Sequence, residues 1–227
     1  MKILLPEFLD WSTAETERFK NFFTRWIGIV AKHWDISGLT CICFVDGLGA
    51  SGEMVPNSYE TPLDFTIKLS NPDFGLTRGL SLCGFLQRID QSSDLQNTLL
   101  HELAHVHDYN KRPQVCAIPH KNKANMLQSE TALTEEEVMR GLAVRVWSEF
   151  FATKKSANIG DRIERIDLKI KNLVTTINDI NDPNTQPQAR NKLVANDFII
   201  GIAYLIGEAV SKGELANARK LDLYALG

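Results

Sequence analysis

The segment NTLLHELAHVHDYN, residues 97–110, carries three of the five histidines of the chain within seven residues. Two of them, His101 and His105, flank a glutamate in the pattern His-Glu-x-x-His. With about 100° per residue, positions i and i+4 lie on one face of a helix, so both imidazoles can converge on one ion. Leu99 and Leu103 fall on the opposite face. The segment therefore predicts an amphipathic helix with a metal-binding side.

The neighbours of the two histidines suggest distinct roles. Glu102 projects about 100° from His101, beside the predicted ligands, where it can act as a general base. Asp108 projects on the ligand side, and we favour a role as acceptor for an imidazole N–H over a role as third ligand. His107 is expected to be a hydrogen-bonded edge residue. The alternative is that these polar residues only decorate a solvated helix face.

A catalytic zinc site needs a third protein ligand, and Glu149 is the best candidate. On its predicted helix Glu149 shares a stripe with three apolar residues, Val138, Leu142 and Val146. A carboxylate on an apolar stripe needs compensation, which a zinc ion would provide. The alternative is an i, i+4 ion pair with Arg145.

The stretches HELAHVHD (101–108) and SEFFA (148–152) resemble the two halves of a gluzincin-type zincin metallopeptidase site. Similar motifs occur in the catalytic domain of anthrax lethal factor and, more loosely, in compact metallopeptidases of bacterial mobile elements. The likeness covers about residues 93–155. It implies a zincin-like fold, a Zn²⁺ ion held by His101, His105 and Glu149, Glu102 as the base and Asp108 as an orienting residue.

The sequence departs from that pattern at one position. The lethal-factor pattern has a tyrosine seven residues before the ligand glutamate, where it stabilises the oxyanion, and Leu142 stands there in this chain. Tyr109, which projects about 80° from His101 on the motif helix, is a possible substitute.

Three segments before the motif have the character of strands. The run 39–46 and the run 62–70 are apolar or alternate cleanly, and the run 79–87 is a third candidate that could present an edge to an extended substrate. Between the first two lies GLGASG (47–52), formally a Gly-x-Gly-x-x-Gly pattern. Pro56 and Pro62 follow, so no helix can begin there; a flexible loop is expected and nucleotide binding is disfavoured.

Helices are predicted on both sides of these strands. Capping boxes at Ser12/Glu15, Ser93/Gln96 and Thr134/Glu137 mark three helix starts. A 3-4-3-4-3 apolar seam from Ile163 to Ile180, the turn 181–187 and the apolar run 188–211 predict a helical hairpin. Such a hairpin could pack internally or bind another protein.

The predicted fold class is α+β, with a small sheet, an N-terminal helix, the motif helix and a mainly helical C-terminal half. We expect a zincin-like domain over residues 1–156 and a helical hairpin extension packed on it over residues 157–227.

Composition excludes several classes of protein. The net charge is −3 and the basic residues form no stripe, so nucleic-acid binding is not expected. The longest apolar run, 198–207, is about half of a membrane span, and the first residues lack the pattern of a signal peptide. A cytoplasmic protein is expected, with secretion by a signal-less route left open.

These features together predict hydrolysis of a peptide bond in a protein or peptide substrate, with zinc and with Glu102 as the base. The main alternative is a non-catalytic binding protein that uses the helices of residues 160–211 as its surface. Hydrolysis of a non-peptide bond is a third possibility, because the site chemistry alone does not choose the substrate.

Overall fold

The computed structural model describes residues 1–58, 63–91, 93–119, 122, 133–159 and 166–212. Its described part combines a four-stranded sheet with a mainly helical second half, so the α+β class is confirmed. The chain divides into two compact units, Met1–Pro113 and Gln114–Gly227. The expected boundary between residues 156 and 157 lies inside a helix of the second unit.

The first unit contains a mixed sheet. Its strands are β1 (Lys2–Leu4), β2 (Leu39–Val45), β3 (Gly52–Ser58) and β4 (Asp64–Ser70), in the order β1-β2-β4-β3. β2 is parallel to both β1 and β4, whereas β3 is antiparallel to β4. β3 is therefore an edge strand among the strands that the structure describes. Alternate side chains of β2 and β4 are buried, namely Ile42, Phe44, Phe65, Ile67 and Leu69.

Two of the three predicted strands are present and one is wrong. β2 and β4 correspond to the predicted runs 39–46 and 62–70. The run 79–87 does not form a strand, because residues 82 onward belong to helix α2 (Leu82–Gln91). Leu82, Phe85 and Ile89 are buried at spacings of three and four, which is the period of a helix.

The predicted flexible loop after β2 is also corrected. Residues 52–58 form β3, which begins at the last glycine of GLGASG. Pro56 is compatible with a strand at this place because β3 lies at an edge, where a missing backbone N–H is tolerated. β1 was not predicted, since three residues are too few to give a pattern.

Helix α1 (Thr13–Val30) covers the sheet with an aromatic core. The predicted capping box is confirmed: Glu15 N–H donates to Ser12 Oγ, and Ser12 N–H donates to the Glu15 carboxylate. Phe19 is fully buried and lies within 6.1 Å, between ring centroids, of four other aromatic rings. These rings belong to Trp11, Phe23, Phe44 and Phe85.

The motif lies on helix α3 (Ser93–Lys111), which the short helix α4 (Pro113–Cys116) follows. Its buried side chains include Leu99, Leu103 and Val106, as the sequence pattern predicted. α3 packs against β3 and β4. The sheet therefore supports the helix that carries the histidines.

The second unit is helical in its described part. It contains α5 (Glu135–Ile159), α6 (Ile166–Asn181), α7 (Pro187–Lys192), a π-helical turn (Leu193–Phe198) and α8 (Ile199–Lys212). The capping box that opens α5 is confirmed by the reciprocal bonds of Thr134 and Glu137. None of the described helices is long and apolar enough to span a membrane.

α8 is the central helix of this unit. Ile170 and Leu173 of α6 share a buried apolar cluster with Leu205 and Ala209 of α8. The other side of α8 approaches α5 so closely that a Cβ atom at Gly207 would lie 2.8 Å from the Phe150 carbonyl oxygen. The predicted turn and return helix of the hairpin are present, whereas the start of its seam, at Ile163, lies outside the described residues.

Candidate metal centre

The two motif histidines lie half-buried on α3, and their rings meet edge-on. Their Nε2 atoms are 3.1 Å apart, with ring centroids 4.7 Å apart and planes at 83°. Two nitrogen atoms at this distance need a proton or a cation between them, because their lone pairs otherwise repel. Zinc bonds of about 2.0–2.1 Å in tetrahedral geometry separate two nitrogen ligands by about 3.3 Å. The pair therefore fits a zinc ion.

Glu102 is 6% exposed and lies beside β3. A Cβ atom placed on Gly52 would lie 2.9 Å from Glu102 Cγ and 3.0 Å from Thr98 Cγ2. The strand thus approaches the carboxylate side chain as closely as a glycine allows. Little space is therefore left between the Glu102 side chain and β3.

Glu149 lies on α5 and is half-buried. The hydroxyl of Tyr204, on α8, donates a hydrogen bond of 2.9 Å to Glu149 Oε2. Arg145, the alternative partner for this carboxylate, is exposed. Glu149 therefore has a neutral hydrogen-bond donor that the sequence did not suggest.

The residues His101, His105 and Glu149 form a group that could hold a metal ion. One ligand atom from each lies within 4.8 Å of the others. Two imidazoles and one carboxylate are a donor set that zinc takes in catalytic sites, where a fourth position is left for water or substrate. These are the three residues that the sequence selected as ligands.

Asp108 is 1% exposed and forms an ion pair with Arg112, the residue that directly follows the end of α3. A guanidinium offsets the burial of this carboxylate. Its predicted role as an acceptor for an imidazole N–H stays a prediction.

Tyr109 and His107 lie in packed surroundings. Tyr109 is 2% exposed, and its ring meets Phe65 edge-on at 5.2 Å between centroids. This placement favours a role in the core over the predicted role as oxyanion stabiliser. His107 stacks on Trp34, and its Nδ1 accepts a hydrogen bond of 2.9 Å from the backbone N–H of Asp35. The expectation of a hydrogen-bonded edge residue is confirmed.

Sequence reasoning missed two residues, Tyr204 and Gly52. Tyr204 is the polar-tipped side chain in the apolar run 198–207, and a phenol in such a run usually finds a hydrogen-bond partner. A glycine within a strand often marks a close approach by another chain segment. Both signals are present in the sequence, but neither indicates which residue the tyrosine or the glycine lies against.

Comparison with known proteins gives no further guide to function: no family model matches the chain, and no curated protein or solved structure is significantly similar to it.

Proposed function

We propose that the chain is a zinc-dependent peptidase of the gluzincin type, with a zincin-like arrangement around α3. The observation that carries the proposal is the group of His101, His105 and Glu149, whose ligand atoms lie within 4.8 Å of one another. The position of Glu102 next to this group, on the same helix as the histidines, supports its assignment as the general base.

The chemistry divides between the ion and the side chains. When bound, zinc would lower the pKa of a water molecule towards about 7 and polarise the scissile carbonyl. Glu102 would accept the proton of the attacking water and deliver it to the departing amine. His101, His105 and Glu149 would hold the ion, and the contact with Gly52 would keep Glu102 in place.

An extended peptide could bind along β3. This strand is an edge strand of the described sheet, and a Cβ atom on its first residue, Gly52, would lie 2.9 Å from Glu102 Cγ. A peptide that pairs with the outer edge of β3 would gain backbone hydrogen bonds whatever its sequence. β3 thus replaces the segment 79–87 in the proposed mode of substrate binding.

The alternative function, binding without turnover, is favoured by an apolar cavity in the second unit. It has a volume of about 560 Å³ and is lined by side chains of α5 and α8. Trp147 and Ile206 on its wall are 43% and 38% exposed. Apolar surface of this kind is common where another protein binds.

The deciding experiment compares wild-type protein with Glu102→Gln, both loaded with zinc. Loss of the base should lower cleavage of casein or of a mixed peptide library by about 10²–10⁴-fold. Elemental analysis should find the same zinc content, because Glu102 is not a proposed ligand. Glu149→Ala should lower the zinc content sharply.

Glu136→Gln is the matched control, since Glu136 is an exposed carboxylate that pairs with Arg140. It should keep full activity. Equal behaviour of wild-type protein and Glu102→Gln in every assay would leave the binding function as the better description.

A further inference from the structure

We propose that Tyr204 is a positioning residue for the metal ligand Glu149: its hydroxyl holds one carboxylate oxygen and thereby favours coordination of the ion through a single oxygen. The inference rests on the proposed function, because it assigns a role within the same metal centre.

The hydrogen bond joins two helices that are far apart in sequence. Tyr204 and Glu149 are separated by 55 residues, and their hydroxyl and Oε2 atoms are 2.9 Å apart in a partly buried environment. On α8 the residues beside Tyr204 are buried, Ala203 at 3% and Leu205 at 0% exposure. The backbone that carries the hydroxyl is therefore fixed by packing.

Close contact between α5 and α8 limits the freedom of the pair. At Gly207 the space between the helices is too small for a side chain, since a Cβ atom there would lie 2.8 Å from the Phe150 carbonyl oxygen and 3.0 Å from Thr153 Cβ. Because Phe150 is adjacent to Glu149, this contact fixes the position of α5 where the ligand is attached. The phenol can then set the orientation of the carboxylate as well as its distance.

A neutral phenol suits this task chemically. Its O–H donates to the carboxylate, and a hydrogen bond to an ionised acceptor is stronger than one between neutral groups. An oxygen engaged in this way is a poorer second ligand, so the carboxylate is directed to bind through one oxygen. Removal of such hydrogen-bond partners of metal ligands typically lowers metal affinity 10–100-fold.

The test is a double-mutant cycle on zinc affinity, measured by competition with a chromophoric chelator. Tyr204→Phe should weaken zinc binding about 10–100-fold. In the Glu149→Ala background the same substitution should have no further effect, because the carboxylate that Tyr204 positions is gone. A purely structural loosening of the helix pair would weaken zinc binding in both backgrounds.

Ser156→Ala is the matched control. Ser156 is fully buried on α5 and its hydroxyl donates to the Thr153 carbonyl, so the change removes a hydroxyl from the same helix pair. It should leave zinc affinity unchanged. In Tyr204→Phe the second oxygen of Glu149 should become free to bind zinc. X-ray absorption at the zinc edge should then detect one more oxygen in the coordination shell of Tyr204→Phe than in that of wild type, and no change in Ser156→Ala.

Two results would overturn the inference while the proposed metal centre stands: wild-type affinity in Tyr204→Phe, or an equal loss in the presence and absence of Glu149. A wild-type protein that binds no zinc would overturn the proposed function, and this inference with it.

Discussion

The candidate site depends directly on the absence of a side chain at Gly52. Any added side chain would collide with Glu102 and Thr98 at about 3 Å, the distances found for a Cβ atom. Gly52→Ala should therefore displace the Glu102 side chain. We expect hydrolytic activity to fall at least tenfold with zinc content retained, and stability to fall by about 1–3 kcal/mol from overpacking. Peptide cleavage, elemental analysis and urea denaturation measure these effects.

Gly49→Ala provides the comparison, since a Cβ atom at Gly49 would meet nothing within 4 Å. It should leave activity unchanged. Stability should be unchanged or raised by up to about 1 kcal/mol, because alanine lowers the conformational entropy of the unfolded chain. Full activity in Gly52→Ala would show that Glu102 tolerates displacement or is not the base.

The residues that the sequence revealed differ in kind from those it did not. His101, Glu102 and His105 are encoded by local spacing, because the helical period alone places them together. Glu149 was selected because a carboxylate on an apolar stripe needs a partner. Tyr204 and Gly52 act through contacts between distant segments, and a single sequence does not record which segments meet.

At the scale of elements, the capping box at the start of α5 stabilises the helix that carries Glu149. The Thr134 backbone N–H and hydroxyl both donate to the Glu137 carboxylate, and these bonds lower the pKa of Glu137 from its usual value of 4.5. A carboxyl group with a lowered pKa in the folded state stabilises the fold above its unfolded pKa. This contribution disappears as the pH falls through the folded value.

Glu137→Ala should therefore lower the thermal midpoint at pH 7 by about 2–4 °C, the effect of losing one capping interaction. The difference from wild type should shrink as the pH is lowered from 4.5, because Glu137 then becomes protonated in both states. Calorimetric scans at pH 7, 4.5 and 3 provide the measurement.

Glu135→Ala is the control, as it also removes a first-turn carboxylate from α5 but leaves the Thr134 bonds intact. It should have the smaller effect at pH 7. A pH-independent difference between wild type and Glu137→Ala would contradict the role assigned to the capping bonds.

Elements with a capping box or a long apolar or alternating run were predicted correctly, and those with short or mixed patterns were not. α1 and α5 have both a capping box and an apolar face, and β2 and β4 have long apolar or alternating runs. β3 contains Gly52 and Pro56, which individually disfavour a strand, and it forms because β4 supplies the pairing partner. In α2 the short run 79–87 fits either period, and only burial of Leu82, Phe85 and Ile89 decides for a helix.

At the scale of the whole molecule, zinc binding should stabilise the folded chain by mass action. A ligand at 100 times its Kd adds about 2.7 kcal/mol if it binds only the folded state. For a chain of this length that corresponds to about 5–10 °C in the thermal midpoint. Differential scanning fluorimetry of metal-free protein, with and without buffered zinc, measures the shift.

The shift should be absent in His101→Ala and present in His33→Ala, which removes an exposed histidine outside the motif. It should also be present in Glu102→Gln, since the base is not a ligand. An equal shift in His101→Ala and wild type would mean that zinc binds somewhere else.

The α+β class could be predicted because strand-like runs lie before residue 92 and helical patterns after it. The extents of the compact units could not, because compactness depends on which helices pack together. α5 follows the motif in sequence and was assigned to the first domain, yet it packs extensively on α8. That contact joins side chains about 55 residues apart in sequence. No local sequence pattern indicates such a contact.

The π-helical turn Leu193–Phe198 lies between α7 and α8. A turn of this kind is wider than an α-helical turn and accommodates one additional residue in the backbone ladder. The additional residue therefore changes the rotation of α8 about its axis relative to α7. The rotation of α8 in turn determines which of its side chains face α5, and Tyr204 is one of them, since its hydroxyl donates to Glu149.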